Sequence, residues 1–280
     1  MDAILTAVIP VVIIGVICAA VLVIASKLMA VKEDERFPVV RECLPGANCG
    51  ACGFAGCDGY AKALCENPDT PSNLCVPGAD AVSKKLSEIL GVEFEDVVEQ
   101  VAVVHCAGDC NKTQDKFVYH GIESCAAAKL LYGGKGSCTY GCLGLGDCAN
   151  ACPKNAIYIK DGTARVNQRE CIGCGICTKT CPNHIISLVA DVEKAVVTCS
   201  NKDKGAVTRK VCSNGCIGCK KCERVCPSKA IKVIDNVAVI DYSKCPDCED
   251  FGVCAKNCTT GCIMISDLSG IHRFKEEEEK

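Results

Sequence analysis

Two stretches decide how this chain is read: CTYGCLGLGDCANACP, Cys138–Pro153, and CIGCGICTKTCP, Cys171–Pro182. The second is Cys-x2-Cys-x2-Cys-x3-Cys-Pro. In such a run the first three thiolates hold one [4Fe–4S] cube, and the fourth, displaced by the proline turn, reaches a neighbouring cube. A run of this type needs a partner. The first stretch ends in the same Cys-x3-Cys-Pro but opens Cys-x3-Cys-x5-Cys, so alone it reads as a damaged copy.

The same arrangement recurs downstream. CIGCKKCERVCP, 216–227, is regular, and CPDCEDFGVCAKNC, Cys245–Cys258, follows as Cys-x2-Cys-x5-Cys-x3-Cys. KAIKVIDNVAVIDYSK lies between them and predicts two short strands around Asp235-Asn236. NAIYIKDGTARVNQ predicts the matching hairpin around Asp161-Gly162 in the earlier pair. Both irregular runs carry the lengthened x5 interval. Each is therefore the other half of a bacterial-type two-cluster ferredoxin unit, not a relic.

Crossing the fourth ligands gives explicit sets. They are Cys138, Cys142 and Cys148 with Cys181; Cys171, Cys174 and Cys177 with Cys152; Cys216, Cys219 and Cys222 with Cys258; and Cys245, Cys248 and Cys254 with Cys226. Neither Cys258 nor Cys262 is followed by proline.

A further module precedes these pairs. LPGANCGACGFAGCDGYAKAL and NLCVPGADA offer Cys49, Cys52, Cys57 and Cys75 as a tetrathiolate site for a [4Fe–4S] cluster or zinc. Gly50, Gly53 and Gly56 let the backbone fold around a bulky cube. Ala55–Leu64 reads as a helix, Ala79–Leu90 as an amphipathic helix capped by Gly91, and Phe94–Gln100 as a helical continuation. Cys43 and Cys65 join no set and read as core thiols.

A second repeat accounts for the cysteines left over. VVHC, 103–106, matches VVTC, 196–199, and SCTYGC matches VCSNGC, which pairs Cys106 with Cys199 and Cys138 with Cys212. Cys106, Cys110 and Cys125 with Cys199 or Cys212 form a candidate sixth set, against the alternative of buried or labile thiols. The cofactor content is therefore at least five and up to six [4Fe–4S] clusters.

Ala3–Ser26, AILTAVIPVVIIGVICAAVLVIAS, carries no charge, and about 20 helical residues span a bilayer core. A cleaved signal peptide would want a positive start, a shorter apolar core and a small-residue cleavage site. The chain offers Asp2 and a long core, so a retained single-pass anchor is expected, with Cys18 as a small apolar residue. Lys27, Lys32, Arg36 and Arg41 follow the segment, which places the remainder on the cytoplasmic side of the cell membrane. That side also suits reduced thiols.

The expected fold class is α+β. It comprises an N-terminal transmembrane helix (1–27), a small helical [4Fe–4S] domain with a helical linker (28–100) and two tandem two-cluster ferredoxin-like units. The first unit, with a Cys-rich segment, takes 101–190 and the second 191–267, and a charged tail occupies 268–280.

Composition narrows the function classes. The 280 residues hold 29 cysteines and four histidines, with no tryptophan. Disulfide scaffolds are usually short and secreted, whereas tight CxxC runs point neighbouring thiols at one centre, as a metal requires. A net charge of −3 without a basic stripe argues against nucleic acid. No haem-attachment motif, Walker loop, dinucleotide fingerprint or Ser/His/Asp grouping is present, so no catalytic residue is assigned. The pattern is that of an electron wire without substrate-carbon chemistry.

The order of parts resembles a known family. An uncharged N-terminal helix, LPGANCGACGFAGCDGYA with Cys75, GIESC, LLYGGKGSCTYGCLGLGDC and the paired motifs are similar to RnfB, the polyferredoxin component of the Rnf complex, over nearly the whole chain. The resemblance implies a membrane translocase that oxidises reduced soluble ferredoxin, reduces NAD⁺ at a flavin-bearing, NADH-binding partner and moves Na⁺ or H⁺. Integral membrane subunits are further partners, and the RnfB component is the entry point for electrons. A polyferredoxin subunit of a membrane hydrogenase or formate dehydrogenase is the competing reading, but it has no reason to carry the Cys49–Cys75 module. A zinc-binding scaffold is the non-redox alternative.

Overall fold

Apolar sequence builds the first helix, α1 (Asp2–Leu28), which contains Pro10. The computed structural model describes residues 2–28, 34–97, 99–190, 194–245, 252–267 and 270–272. Cys248 and the tail from 273 lie outside the described residues.

The expected membrane-spanning anchor is not borne out. Among the described residues no helix is long and apolar enough to cross a membrane. Two of the cations read as orientation signals have other work. Arg36 binds the Asp34 carboxylate and donates to the Cys65 carbonyl at 3.1 Å, and Arg41 pairs with Asp58.

Three short helices form the next layer: α2 (Phe37–Cys43), α3 (Cys57–Glu66) and α4 (Ala79–Leu90). Their apolar faces bury Val40, Leu44, Tyr60, Ala61, Leu64 and Leu86 in one core. Cys65 is buried there and Cys43 packs against it. Tyr60 donates its hydroxyl to the Pro71 carbonyl at 2.7 Å and accepts from Leu74 N–H at 3.3 Å, which pins the loop leading to Cys75. Gly91 ends α4 in the left-handed region at φ 70°.

The helical continuation expected over Phe94–Gln100 does not form. The chain instead runs back along α4: Ser83 Oγ donates to the Glu95 carbonyl at 3.0 Å, and Asp80 accepts from Val97 N–H at 2.9 Å. The β-branched run QVAVV then opens a strand, β1 (Gln100–Val104).

Two similarly built units follow. The first contains α5 (Cys125–Lys129), α6 (Asp147–Asn150), β2 (Ile157–Lys160), β3 (Thr163–Val166), α7 (Ile176–Thr180) and β4 (Ile186–Ala190). Strands β2 and β3 form the inner hairpin, and β1 pairs antiparallel with β4 from Gln100↔Ala190 to Val104↔Ile186. The second contains β5 (Lys194–Val197), α8 (Gly205–Val211), α9 (Lys221–Val225), β6 (Ile231–Ile234), β7 (Val237–Ile240), α10 (Val253–Lys256), β8 (Ile263–Asp267) and β9 (Gly270–His272). Here β6–β7 is the inner hairpin, β5 pairs with β8, and β9 extends that sheet. Asp161-Gly162 and Asp235-Asn236 turn the two hairpins with φ positive at both central residues, the condition of a type I′ turn.

Buried Val103, Val189 and Val196 join the units. Hydrogen bonds reinforce this seam: Ala107 N–H to the Thr198 carbonyl (3.0 Å), Ser200 Oγ to the His105 carbonyl (3.0 Å), and Thr113 Oγ1 to the Val211 carbonyl (2.7 Å). His105 bridges it, with Nδ1 at 2.6 Å from the Val197 carbonyl and Nε2 at 2.6 Å from Ser187 Oγ.

A Cys-x-Gly step recurs where each cysteine loop meets a backbone. A Cβ on Gly173 would lie 2.5 Å from the Gln100 carbonyl oxygen, and one on Gly218 would lie 3.2 Å from that of Asn236. At Gly144 it would collide with the Gly162 carbonyl, and φ there is +70°. Gly144→Ala is therefore expected to cost more than about 1 kcal/mol, since strain and overlap act together. Gly162→Ala, at φ +75° but with open space around it, should cost only about 1 kcal/mol. Urea midpoints followed by circular dichroism check the order of the two variants.

Candidate metal centres

Backbone conformation gathers the first thiols. Cys49 and Cys52 lie on a loop turned by Gly50 (φ 70°) and Gly53 (φ 87°), Cys57 opens α3, and Cys75 precedes a 3-10 turn at Val76–Gly78. Asn48 Oδ1 accepts from Cys57 N–H at 2.9 Å, closing the loop onto the helix. The four thiols converge. Burial pushes the Cys75 thiol up to about 11, and its neighbours Cys57, Cys52 and Cys49 add to the effect.

In the first unit Cys142, Cys148 and Cys181 line one small cavity, and the fourth thiol there is Cys125. Cys138 does not line it. Asp147 explains the substitution: its carboxylate accepts from Cys125 N–H (2.9 Å), Ala126 N–H (3.0 Å) and Ser124 Oγ (2.9 Å). Burial alone would raise the Asp147 pKa, but these donors outweigh it and hold the carboxyl below its ordinary value. Ser124 in turn caps α5 through Ala127 N–H. The sequence signal was the S-C-A-A-A-K helix start, which spacing rules for cysteines do not register.

Cys152 stands with Cys171, Cys174 and Cys177, and burial pushes Cys177 up to about 12 with those three adding to it. Cys49 also acts on Cys174, and Cys177 on Cys148, so neighbouring groupings are close to one another. Lys179 Nζ reaches the Cys49 carbonyl at 3.2 Å and ties the first module to α7.

In the second unit Cys216, Cys219, Cys222 and Cys258 line one cavity, together with Cys262. Cys262 Sγ lies 3.6 Å from Cys258 Sγ, and this contact lowers the Cys258 pKa to about 5. Cys226, Cys245 and Cys254 line another cavity. Cys106, Cys110, Cys138, Cys199 and Cys212 line a separate cavity of about 270 Å³ at the seam, with Cys142 on its wall. Cys125, expected beside Cys106, is in the first unit's cavity instead. Cys18 is exposed on α1.

The donor chemistry fits iron–sulfur clusters. Backbone N–H groups point at sulfur: Ala102 to Cys171 (3.4 Å), Ala156 to Cys152 (3.3 Å), and Ala164 to Cys142 (3.4 Å). Such donors stabilise negative charge on a cluster's sulfur shell. Buried thiols with raised pKa values need a cationic partner to exist as thiolates. Among the described residues no three His, Cys, Asp or Glu side chains are drawn tightly enough for a single metal ion.

Family models match three stretches of the chain. Residues 44–77 match the FeS family, described as "Putative Fe-S cluster", and residues 137–185 and 170–230 match the 4Fe-4S dicluster domain family, Fer4_7. The chain is 44% identical over 252 residues to the RnfB-type component of the proton-translocating ferredoxin:NAD(+) oxidoreductase complex of Clostridium ljungdahlii, covering 90% of this chain and 88% of that protein. This chain belongs to the RnfB family. It is also 39% identical to the corresponding component of the Na(+)-translocating ferredoxin:NAD(+) oxidoreductase complex of Acetobacterium woodii, over 89% of this chain and 74% of that protein. With the corresponding component of the ion-translocating oxidoreductase complex of Methanosarcina acetivorans it shares 40% identity, over 90% of this chain and 94% of that protein. As an RnfB-family protein with 4Fe–4S domains, the chain is an iron–sulfur electron-transfer subunit of an ion-translocating ferredoxin:NAD⁺ oxidoreductase. Complexes of this kind are membrane-associated, because an ion is translocated only across a membrane.

Removing the Asp147 carboxylate leaves three donors unserved. Asp147→Ala is expected to loosen 124–127 by about 1 kcal/mol or more, since the donors it leaves are partly solvated rather than fully buried. Amide hydrogen exchange at Cys125 and Ala126 should accelerate about tenfold or more, while exchange in β6 and β7 stays unchanged.

Proposed function

We propose that this RnfB-family protein is the relay that receives electrons from reduced soluble ferredoxin and passes them to integral membrane and flavin-bearing, NADH-binding subunits, coupled to Na⁺ or H⁺ translocation. The observation that carries this reading is the closeness of successive thiol groupings. Cys49 lies near Cys174, and Cys177 near Cys148, so the first module and both halves of the first unit adjoin. The thiol-rich part works on the cytoplasmic side, where thiols stay reduced.

Five ligand sets follow. Cys49, Cys52, Cys57 and Cys75 serve the domain at 28–100. Cys125, Cys142, Cys148 and Cys181, and then Cys152, Cys171, Cys174 and Cys177, serve the unit at 101–190. Cys216, Cys219, Cys222 and Cys258, and then Cys226, Cys245, Cys248 and Cys254, serve the unit at 191–267. Bound [4Fe–4S] clusters would supply one-electron acceptor sites whose potentials depend on charge, hydrogen bonding and exposure. The protein's own part is to hold the thiolates, aim N–H donors at sulfur and keep water out.

Two measurements test this reading. The anaerobically purified chain should be reduced by low-potential ferredoxin yet show no NAD⁺ reductase activity alone; intrinsic NAD⁺ reduction would sink the relay role. Cys181→Ala should perturb the EPR signals of the site holding Cys142 and Cys148. Loss of only the Cys171–Cys177 site would show that the fourth ligands do not cross.

A further inference from the structure

The cavity at the seam between the two units belongs to neither ferredoxin-like pair. It is lined by Cys106, Cys138, Cys199 and Cys212, with Cys110 also present but exposed. Cys138 is its hub: it is near enough to act electrostatically on Cys106, Cys199 and Cys212. A Cβ on Gly108 would stand 3.3 Å from Cys212 Sγ and 3.7 Å from Cys106 Sγ, so both sulfurs face the same bare stretch of backbone.

The four thiols are related by the internal repeat. Cys106 follows β1 and Cys199 follows β5, at the ends of VVHC and VVTC. Cys138 and Cys212 each stand four residues before the first cysteine of a cluster run, in Cys-x2-Gly-Cys. The hydrogen bonds repeat as well. Cys142 N–H donates to Cys106 Sγ at 3.3 Å, and Cys216 N–H donates to Cys199 Sγ at 3.2 Å. Asn201 Nδ2 donates to Cys138 Sγ at 3.5 Å, and Asn201 N–H to Cys199 Sγ at 3.5 Å. Two copies of one half-site, one from each unit, therefore meet face to face.

We propose that Cys106, Cys138, Cys199 and Cys212 hold a sixth [4Fe–4S] cluster at the junction of the two units. Four thiols around a cavity of about 270 Å³, with N–H donors aimed at three of them, suit a cube rather than a single ion or a packed thiol cluster. Both ring nitrogens of His105 are engaged elsewhere, so the imidazole does not compete as a ligand. Through Cys142 the site adjoins the first unit, and through Cys216 the second. It supplies the link between the two units that a continuous relay needs, and to that extent rests on the relay reading.

Iron and acid-labile sulfide counts on the anaerobically purified full chain test the site. The wild-type chain should hold about 24 irons, four per cube. Cys199→Ala with Cys212→Ala should lose about four irons while the visible spectrum of the others persists, and Cys110→Ala should lose none. A wild-type count of about 20 irons, or an undiminished count in the double variant, would overturn the sixth site and leave the relay reading standing. Zinc in place of iron throughout would overturn both. Should the double variant fail to fold, the wild-type count decides.

Discussion

Sulfur atoms from distant parts of the chain have to converge on common centres, and the rest of the molecule is arranged around that demand. Cys75 comes to Cys49, Cys52 and Cys57, Cys181 to Cys142 and Cys148, and Cys152 to Cys171, Cys174 and Cys177. Helices of four or five residues, such as α6 and α7, and sets of short β-strands could not bury a large core. They position thiols instead, and the cores beside them contain the same cysteines. Bound clusters then act as staples in small domains whose apolar burial is limited.

Backbone rather than side chains does much of the positioning. The Cys-x-Gly steps at Gly144, Gly173 and Gly218 let each loop lie under a carbonyl, where a methyl group would intrude. Amide donors then face sulfur. Raised thiol pKa values in these pockets follow from burial, and they describe sites that favour charge on sulfur only once a metal compensates it.

The seam gives the two units a common purpose. A repeat that contributes Cys106 and Cys138 from one side contributes Cys199 and Cys212 from the other, around Asn201 and the paired amides of Cys142 and Cys216. The internal repeat thus sets matching thiols on the two sides of an interface that Val103, Val189 and Val196 join.

Local rules made the cysteine run of the first module, both hairpins with their turns and the Gly91 helix cap legible in the sequence, and the family was legible through the resemblance of whole segments such as LPGANCGACGFAGC and YGCLGLGDC. The same rules misjudged Phe94–Gln100, where Ser83 and Asp80 bind the backbone of Glu95 and Val97 and the chain then enters β1, whose partner β4 is far along the sequence. The apolar opening segment suggested an anchor that the described residues do not support. Spacing also grouped Cys138 with Cys142, Cys148 and Cys181, since sequence proximity is the only measure a motif has. Tertiary structure decided otherwise: Asp147 captures the amides at Cys125 and draws that thiol into the site, and Cys138 turns to the seam, where its partners come from a different unit.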